Sequence, residues 1–249
     1  HEPAGVDVGL GMKIVVSGAE RHDNFLERTV ARPLAQPVDG TLHLARARLF
    51  LDAEWNESAK VAADRFLSLE PSHTEALVTR ARAEVKLGER LAAARDYTHA
   101  IGSTAMPTPE LYLERAQALV AEGGPHLDEA LQGLEAGIAK LGPLATLQLS
   151  AIEAEVQQNR VDAALARLDK VMAQYPRKET WLARRGEILR QAGRPQEAAE
   201  ALQAALQALE TLPPARRGVP AMADLEKRIR SSLAQLSRPS TPNASGRNP

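Results

Sequence analysis

From Gly40 to about residue 210, small and apolar residues return every three, four or seven positions, the spacing of one face of an α-helix. Ala59, Ala93, Ala130, Ala164 and Ala198 mark the strongest recurrence. Their separations are 93−59=34, 130−93=37, 164−130=34 and 198−164=34. Four residues after each comes Ala63, Tyr97, Leu134, Leu168 or Leu202, and seven after each comes Phe66, Ala100, Gly137, Val171 or Ala205. Such a face is expected to be buried. Gly88, Asn159 and Gly193 precede three of these alanines and accept a left-handed backbone, so they predict the turn inside each helix–turn–helix unit. The third unit has Gly123-Gly124-Pro125-His126 there, and this insertion, with a longer loop around Met106 to Pro109, explains the spacing of 37. Pro71, Pro107, Pro143 and Pro176 end successive units, because proline does not continue a helix.

The clearest unit runs from Arg177 to Leu209, with a tight turn at Ala192-Gly193-Arg194-Pro195. Gly186, Ala198 and Ala205 are its expected points of close helix contact. Beyond residue 210 a Pro-rich break leads into Pro220–Leu236, where Met222, Leu225, Ile229, Leu233 and Leu236 form one apolar stripe. This pattern predicts a terminal capping helix, with residues 211–236 as linker and cap. Residues 237–249 lack apolar content and read as a disordered tail. Residues 1–39 break the pattern and read as an irregular arm or a degenerate repeat, with a short extended segment at Met12 to Ser17 and a helical turn or two at Asn24 to Val30.

Composition narrows the function classes. Lys and Arg total 31 against 32 Asp and Glu, for a net charge of −1, which argues against nucleic-acid binding driven by overall charge. Aromatics are 3% and the apolar content is mostly Ala and Leu, which favours an all-α fold. The absence of Cys excludes disulfides, thiolate metal sites and a cysteine nucleophile. No apolar run reaches the ~20 residues of a membrane span. No Gly-rich phosphate loop and no Gly-x-Ser-x-Gly elbow is present, so no catalytic residues and no cofactor are assigned.

A 34-residue helix–turn–helix period over residues 40–210 resembles the tetratricopeptide repeats. The matching positions are Ala47, Ala81, Ala116 and Gly186 on first helices, the alanine series on second helices and the terminal prolines. Segments such as RKETWLARRGEILRQAGRPQEA also resemble apparently exported bacterial repeat proteins. The resemblance implies an α-solenoid of about five repeats plus a capping helix, with first helices lining a concave groove. Departures are His43 and Arg46 in the first unit and Gln148 and Glu155 in the fourth, at positions that normally pack.

By the same resemblance the inward positions are Arg48, Arg82, Lys86, Glu114, Gln117, Glu153, Arg184, Glu187 and Arg190, with Leu44, Val78, Leu113 and Leu149 between them. An apolar floor with charges of both signs suits an extended or helical peptide. A solvated face is the plainer reading of the same charges. These sites lack the basic, Asn-rich set with which some tetratricopeptide domains clamp carboxylates. The expected function is a non-enzymatic scaffold that binds a protein or peptide of unknown identity in the groove. One alternative is envelope metal handling through His1; the six His have no metal-ligand spacing, so no metal site is assigned. Another is an architectural module of a larger assembly. The start at His1 leans toward a periplasmic or secreted location, with a cytoplasmic one also open.

Overall fold

The computed structural model describes residues 6–7, 13–14 and 40–237 of the 249-residue chain. Near the amino terminus, β1 (Val6–Asp7) and β2 (Lys13–Ile14) pair antiparallel, with Val6 opposite Ile14 and Asp7 opposite Lys13. The extended stretch expected within Met12 to Ser17 is therefore present at Lys13–Ile14, and its partner strand was not foreseen. The helical turns expected at Asn24 to Val30, and most of the tail after Leu236, lie outside the described residues.

The repeats form five helical hairpins: α1 (Gly40–Asp52) with α2 (Asn56–Leu67), α3 (Thr74–Leu87) with α4 (Arg90–Gly102), α5 (Pro109–Glu122) with α6 (His126–Leu141), α7 (Ala145–Gln157) with α8 (Val161–Ala173), and α9 (Glu179–Gln191) with α10 (Pro195–Glu210). The one-turn α11 (Pro214–Arg217) leads to α12 (Pro220–Leu236). Proline sits in the first turn of α5, α10, α11 and α12, where its missing N–H costs nothing. No helix among the described residues is long and apolar enough to cross a membrane.

The five recurring alanines are all fully buried, and so are Tyr97, Leu134, Leu168 and Leu202 four residues after them. Close approach is most demanding at Gly186. A Cβ there would stand 2.5 Å from Leu202 Cγ and 3.2 Å from the Ala198 carbonyl oxygen, below normal contact distance. Each core layer joins neighbouring repeats: Ile188 of α9 packs with Leu165 and Leu168 of α8, and Ala154 of α7 with Ala130 and Leu131 of α6. At the carboxyl end Leu225 and Ile229 of α12 are buried against Leu202, Ala205 and Leu209 of α10. The predicted stripe therefore covers the last repeat.

In four of the five hairpins the turn is a left-handed helix C-cap, while the third turns through Gly123 and Gly124 at φ of 71° and 54°. Glu54, Gly88, Asn159 and Gly193 adopt positive φ of 62°, 83°, 57° and 71°. In each case the next residue donates its N–H back to the helix, as Glu89 does to the Glu84 carbonyl at 2.8 Å and Arg194 to that of Leu189 at 2.9 Å. The expectation for Gly88, Asn159 and Gly193 holds; Glu54 does the same without glycine's freedom. Ion pairs and hydrogen bonds join neighbouring turns: Lys60 to Glu89, Arg90 to Glu122 at 3.4 Å, Gln158 to Asp128 at 3.0 Å and Arg194 to Asp162 at 2.7 Å.

Buried acids occur in three repeats: Glu179, at the start of α9 in the fifth, pairs with Arg177 at 3.8 Å, and the second and fourth repeats each have their own solution. In the fourth, Glu155 is 3% exposed. Arg167 of α8 donates to it at 3.1 and 2.8 Å, to Gln148 at 3.1 Å, and to Glu135 of the preceding second helix. The two polar departures read in the sequence, Gln148 and Glu155, thus share one guanidinium, and the helix keeps its register. In the second repeat the cation comes from the first helix instead. Arg80 of α3 spans Asp96 of α4, at 2.5 and 2.7 Å, and Asp64 of α2, at 2.7 Å. Glu84 occupies the place equivalent to Glu155, also buried, and its Oε2 has no hydrogen-bond partner.

Candidate functional site

Ion pairs between first helices of successive repeats locate the inner face. Arg48 of α1 pairs with Glu75 of α3. Arg82 of α3 donates to Glu114 of α5 at 2.9 and 2.6 Å. Arg184 of α9 pairs with Glu153 of α7. Glu114 also accepts the buried Tyr97 hydroxyl at 2.6 Å. Burial raises the Glu114 pKa, but the hydrogen bonds from Arg82 and Tyr97 outweigh it and hold the carboxyl below its usual range. Burial, then the Glu114 contact, push the Tyr97 phenol upward. In α9, Arg190 donates to Glu187 at 3.0 and 2.7 Å, and those bonds lower the Glu187 pKa.

Seven of the nine inward residues predicted from the sequence are thus engaged with another side chain of the array: Arg48, Arg82, Glu114, Glu153, Arg184, Glu187 and Arg190. Lys86 and Gln117 are exposed and have no side-chain partner among the described residues. The ladder between first helices is interrupted at the junction of the third and fourth repeats. There Gln117 occupies the place of Arg48, Arg82 and Glu153, and the positions of the next repeat equivalent to Glu75 and Glu114 hold Thr146 and Ser150 rather than acids.

The apolar residues between the charges form a row. Val78, Leu113 and Leu149 are each followed seven residues later by Val85, Val120 and Val156, two helical turns along the same face. Leu149 and Val85 are each 37% exposed, and Val78, Leu113, Val120 and Val156 are partly buried. Leu44 is 8% exposed and packs into the core with Phe66 and Leu77, so it contributes less to this surface than its position suggested. Val85, Val120 and Val156 were missed in the sequence; the seven-residue offset was the signal that would have found them. In the fifth repeat the equivalent positions hold Ala183 and Arg190, so the row turns polar toward the cap.

Trp55, though 44% exposed, and Trp181 each lie beside an aromatic ring, 5.7 Å from Phe50 and 5.3 Å from Tyr175 between ring centroids. His1 lies outside the described residues, and no three His, Asp or Glu side chains gather in a metal-binding group among those described.

Residues 149–213 match the tetratricopeptide repeat family. The array is an α-solenoid of tetratricopeptide-like helix–turn–helix repeats. Three solved structures bear the fold out. YrrB, described as a tetratricopeptide protein with an unusual peptide-binding site, superposes with a TM-score of 0.54 at 15% identity, covering 83% of this chain and 98% of its own. MamA superposes with a TM-score of 0.59 at 16% identity, covering 72% and 96%, and MamA residues 41 to the end from Desulfovibrio magneticus RS-1 with 0.56 at 15%, covering 71% and 98%. No curated protein sequence matches the chain. On the first-helix face of the array most of the predicted charges are thus fixed by their neighbours, and among the described residues the aliphatic row with Lys86 and Gln117 beside it is left without such partners.

Proposed function

We propose that this protein is a non-enzymatic interaction scaffold whose first-helix face holds a peptide segment of a partner protein. The observation that carries the reading is the aliphatic row Val78/Val85, Leu113/Val120 and Leu149/Val156, flanked by the unpaired Lys86 and Gln117. Covering such a row removes apolar area from water at about 25 cal/mol per Å². The ion pairs around it need not be broken, because their partners are already in place, which keeps the ordering cost of binding low. Lys86 suits a carboxylate of the bound segment and Gln117 a main-chain amide. The peptide-binding site named for the structurally similar YrrB accords with this reading.

A displayed random-peptide library selected on the purified protein tests it. Selected sequences should be rich in aliphatic residues, and Val85→Asp with Leu149→Asp should weaken them by about tenfold or more, roughly 1.4 kcal/mol. Peptides that bind the double variant as tightly as the parent protein would remove the groove from consideration.

A further inference from the structure

The amino-terminal end of the array carries a surface that the later repeats keep covered. The tenth position of each later first helix is buried: Ala83 at 0%, Ala118 at 3%, Ala154 at 0% and Ile188 at 0%. Ala118, Ala154 and Ile188 belong to apolar clusters with Ala94, Leu131 and Leu165 of the preceding second helix. The equivalent residue of the first repeat, Leu49, is 59% exposed.

The charges at this end show a matching gap. Arg80, Arg115 and Arg185 occupy one position on three later first helices, and each donates to the preceding second helix: to Asp64 at 2.7 Å, Thr98 at 2.6 Å and Asp169 at 2.5 Å. In the fourth repeat the acid at that place, Glu135, is met by Arg167 instead. Arg46 holds the arginine position in the first repeat and has no ion-pair or hydrogen-bond partner among the described residues. Beside it the buried Nδ1 of His43 is also without a partner. Arg65 and Arg46 are its charged neighbours, and burial with these two cations holds the ring below its usual pKa.

We propose that the face formed by His43, Arg46, Leu49 and Arg65 docks an acidic amphipathic α-helix of a partner protein, laid down as a second helix of the array would be. A carboxylate of that helix answers Arg46, and an aliphatic side chain one turn away covers Leu49. Charge selects a foreign helix over a head-to-tail copy of this chain. At the other end of the array Arg216, Arg217, Lys227, Arg228 and Arg230 outnumber Asp224 and Glu226, so stacking copies sets cations against cations. This surface is separate from the groove and stands or falls apart from it.

The probe is a labelled, helix-stapled peptide of residues 126–141, HLDEALQGLEAGIAKL, which carries Glu135 at the acidic position with Leu131 one turn before it. Fluorescence anisotropy with the full chain should show saturable binding. Glu135→Lys in the peptide or Arg46→Glu in the protein should each weaken it about tenfold, combining the two should restore it, and Leu49→Asp should abolish it. Val85→Asp with Leu149→Asp should leave it unchanged, which separates this face from the groove. Circular dichroism of each variant guards against loss of fold. The proposal is overturned by absence of saturable binding, by binding indifferent to Arg46→Glu, by binding that appears only when residues 1–38 are removed, or by self-association that Leu49→Asp abolishes.

Discussion

At the scale of single residues, Glu84 is the least comfortable group in the array. It is buried at the place where Glu155 meets Arg167, but the facing residue in its own repeat is Asp96, and Arg80 is committed to Asp96 and Asp64. Burial first, then the Asp96 charge, raise its pKa to about 7, with Arg80 and Lys60 pulling the other way and Glu89 adding to the rise. The folded protein then keeps a proton that the unfolded chain releases near the ordinary value of 4.5. Stability from this group is full below about pH 4.5 and is lost as pH rises through about 7, to the extent of about 3 kcal/mol. Glu84→Gln should therefore raise the melting temperature at pH 8 and flatten its dependence between pH 5 and 7 on the order of this amount; an unchanged profile would show that Glu84 is not the titrating group. Two backbone-level changes have opposite signs. Glu54→Gly should stabilise by roughly 1 kcal/mol, because a left-handed Glu carries a Cβ clash that Gly lacks. Gly186→Val should cost roughly 1–3 kcal/mol by overpacking against Leu202. Urea unfolding of both variants checks the pair.

At the scale of elements, facing positions on the two helices of each hairpin change together. Leu189 and Ala201 share one apolar cluster, a large residue against a small one, and in the third repeat the equivalent positions hold Leu119 and Gly133, with the Arg115 guanidinium lying over the glycine. In the second and fourth repeats the same places hold Glu84 with Asp96 and Glu155 with Arg167. In the fourth repeat Arg167 of the second helix pairs with the buried Glu155, whereas in the second repeat Arg80 reaches Asp96 but not Glu84. Arg167→Ala should thus cost roughly 3–5 kcal/mol, because Glu155 is left buried and unpaired. Adding Glu155→Leu recreates the Leu189/Ala201 arrangement and should recover most of that loss. Chemical denaturation of the single and double variants measures the coupling, and a double variant no better than the single would refute the equivalence. The exposed pairs along the turns contribute at most about 1 kcal/mol each, so losing any one of them should pass nearly unnoticed.

At the scale of the whole array, stability passes from one repeat to the next, and its carboxyl end depends on α12. Leu225 and Ile229 seal Leu202, Ala205 and Leu209 from water. Leu225→Asp with Ile229→Asp should release α12, lower the melting temperature and promote aggregation measurable by light scattering. A monomeric variant melting as before would mean that the fifth repeat needs no cap. Peptide binding in the middle of the groove should survive this change better than stability does, since Val85, Gln117 and Leu149 lie in the second to fourth repeats.

The pattern along the chain determined by itself the five hairpins, the left-handed turns at Gly88, Asn159 and Gly193, the buried alanine series and the capping stripe of Pro220–Leu236. All are local: each follows from a period of three to seven residues or from one residue's backbone preference, and each repeat states it again. The tertiary structure alone decided which charges are free. Arg82 and Glu114, or Glu153 and Arg184, stand about 32 residues apart among many equivalent acids and bases, and only the stacking of neighbouring repeats selects the pairs. Read from the sequence, the inward face was a field of charge. Folded, most of that charge is spent on the array itself, and what remains is an aliphatic row with Lys86 and Gln117 beside it, because an ion pair needs a geometry that periodicity does not encode.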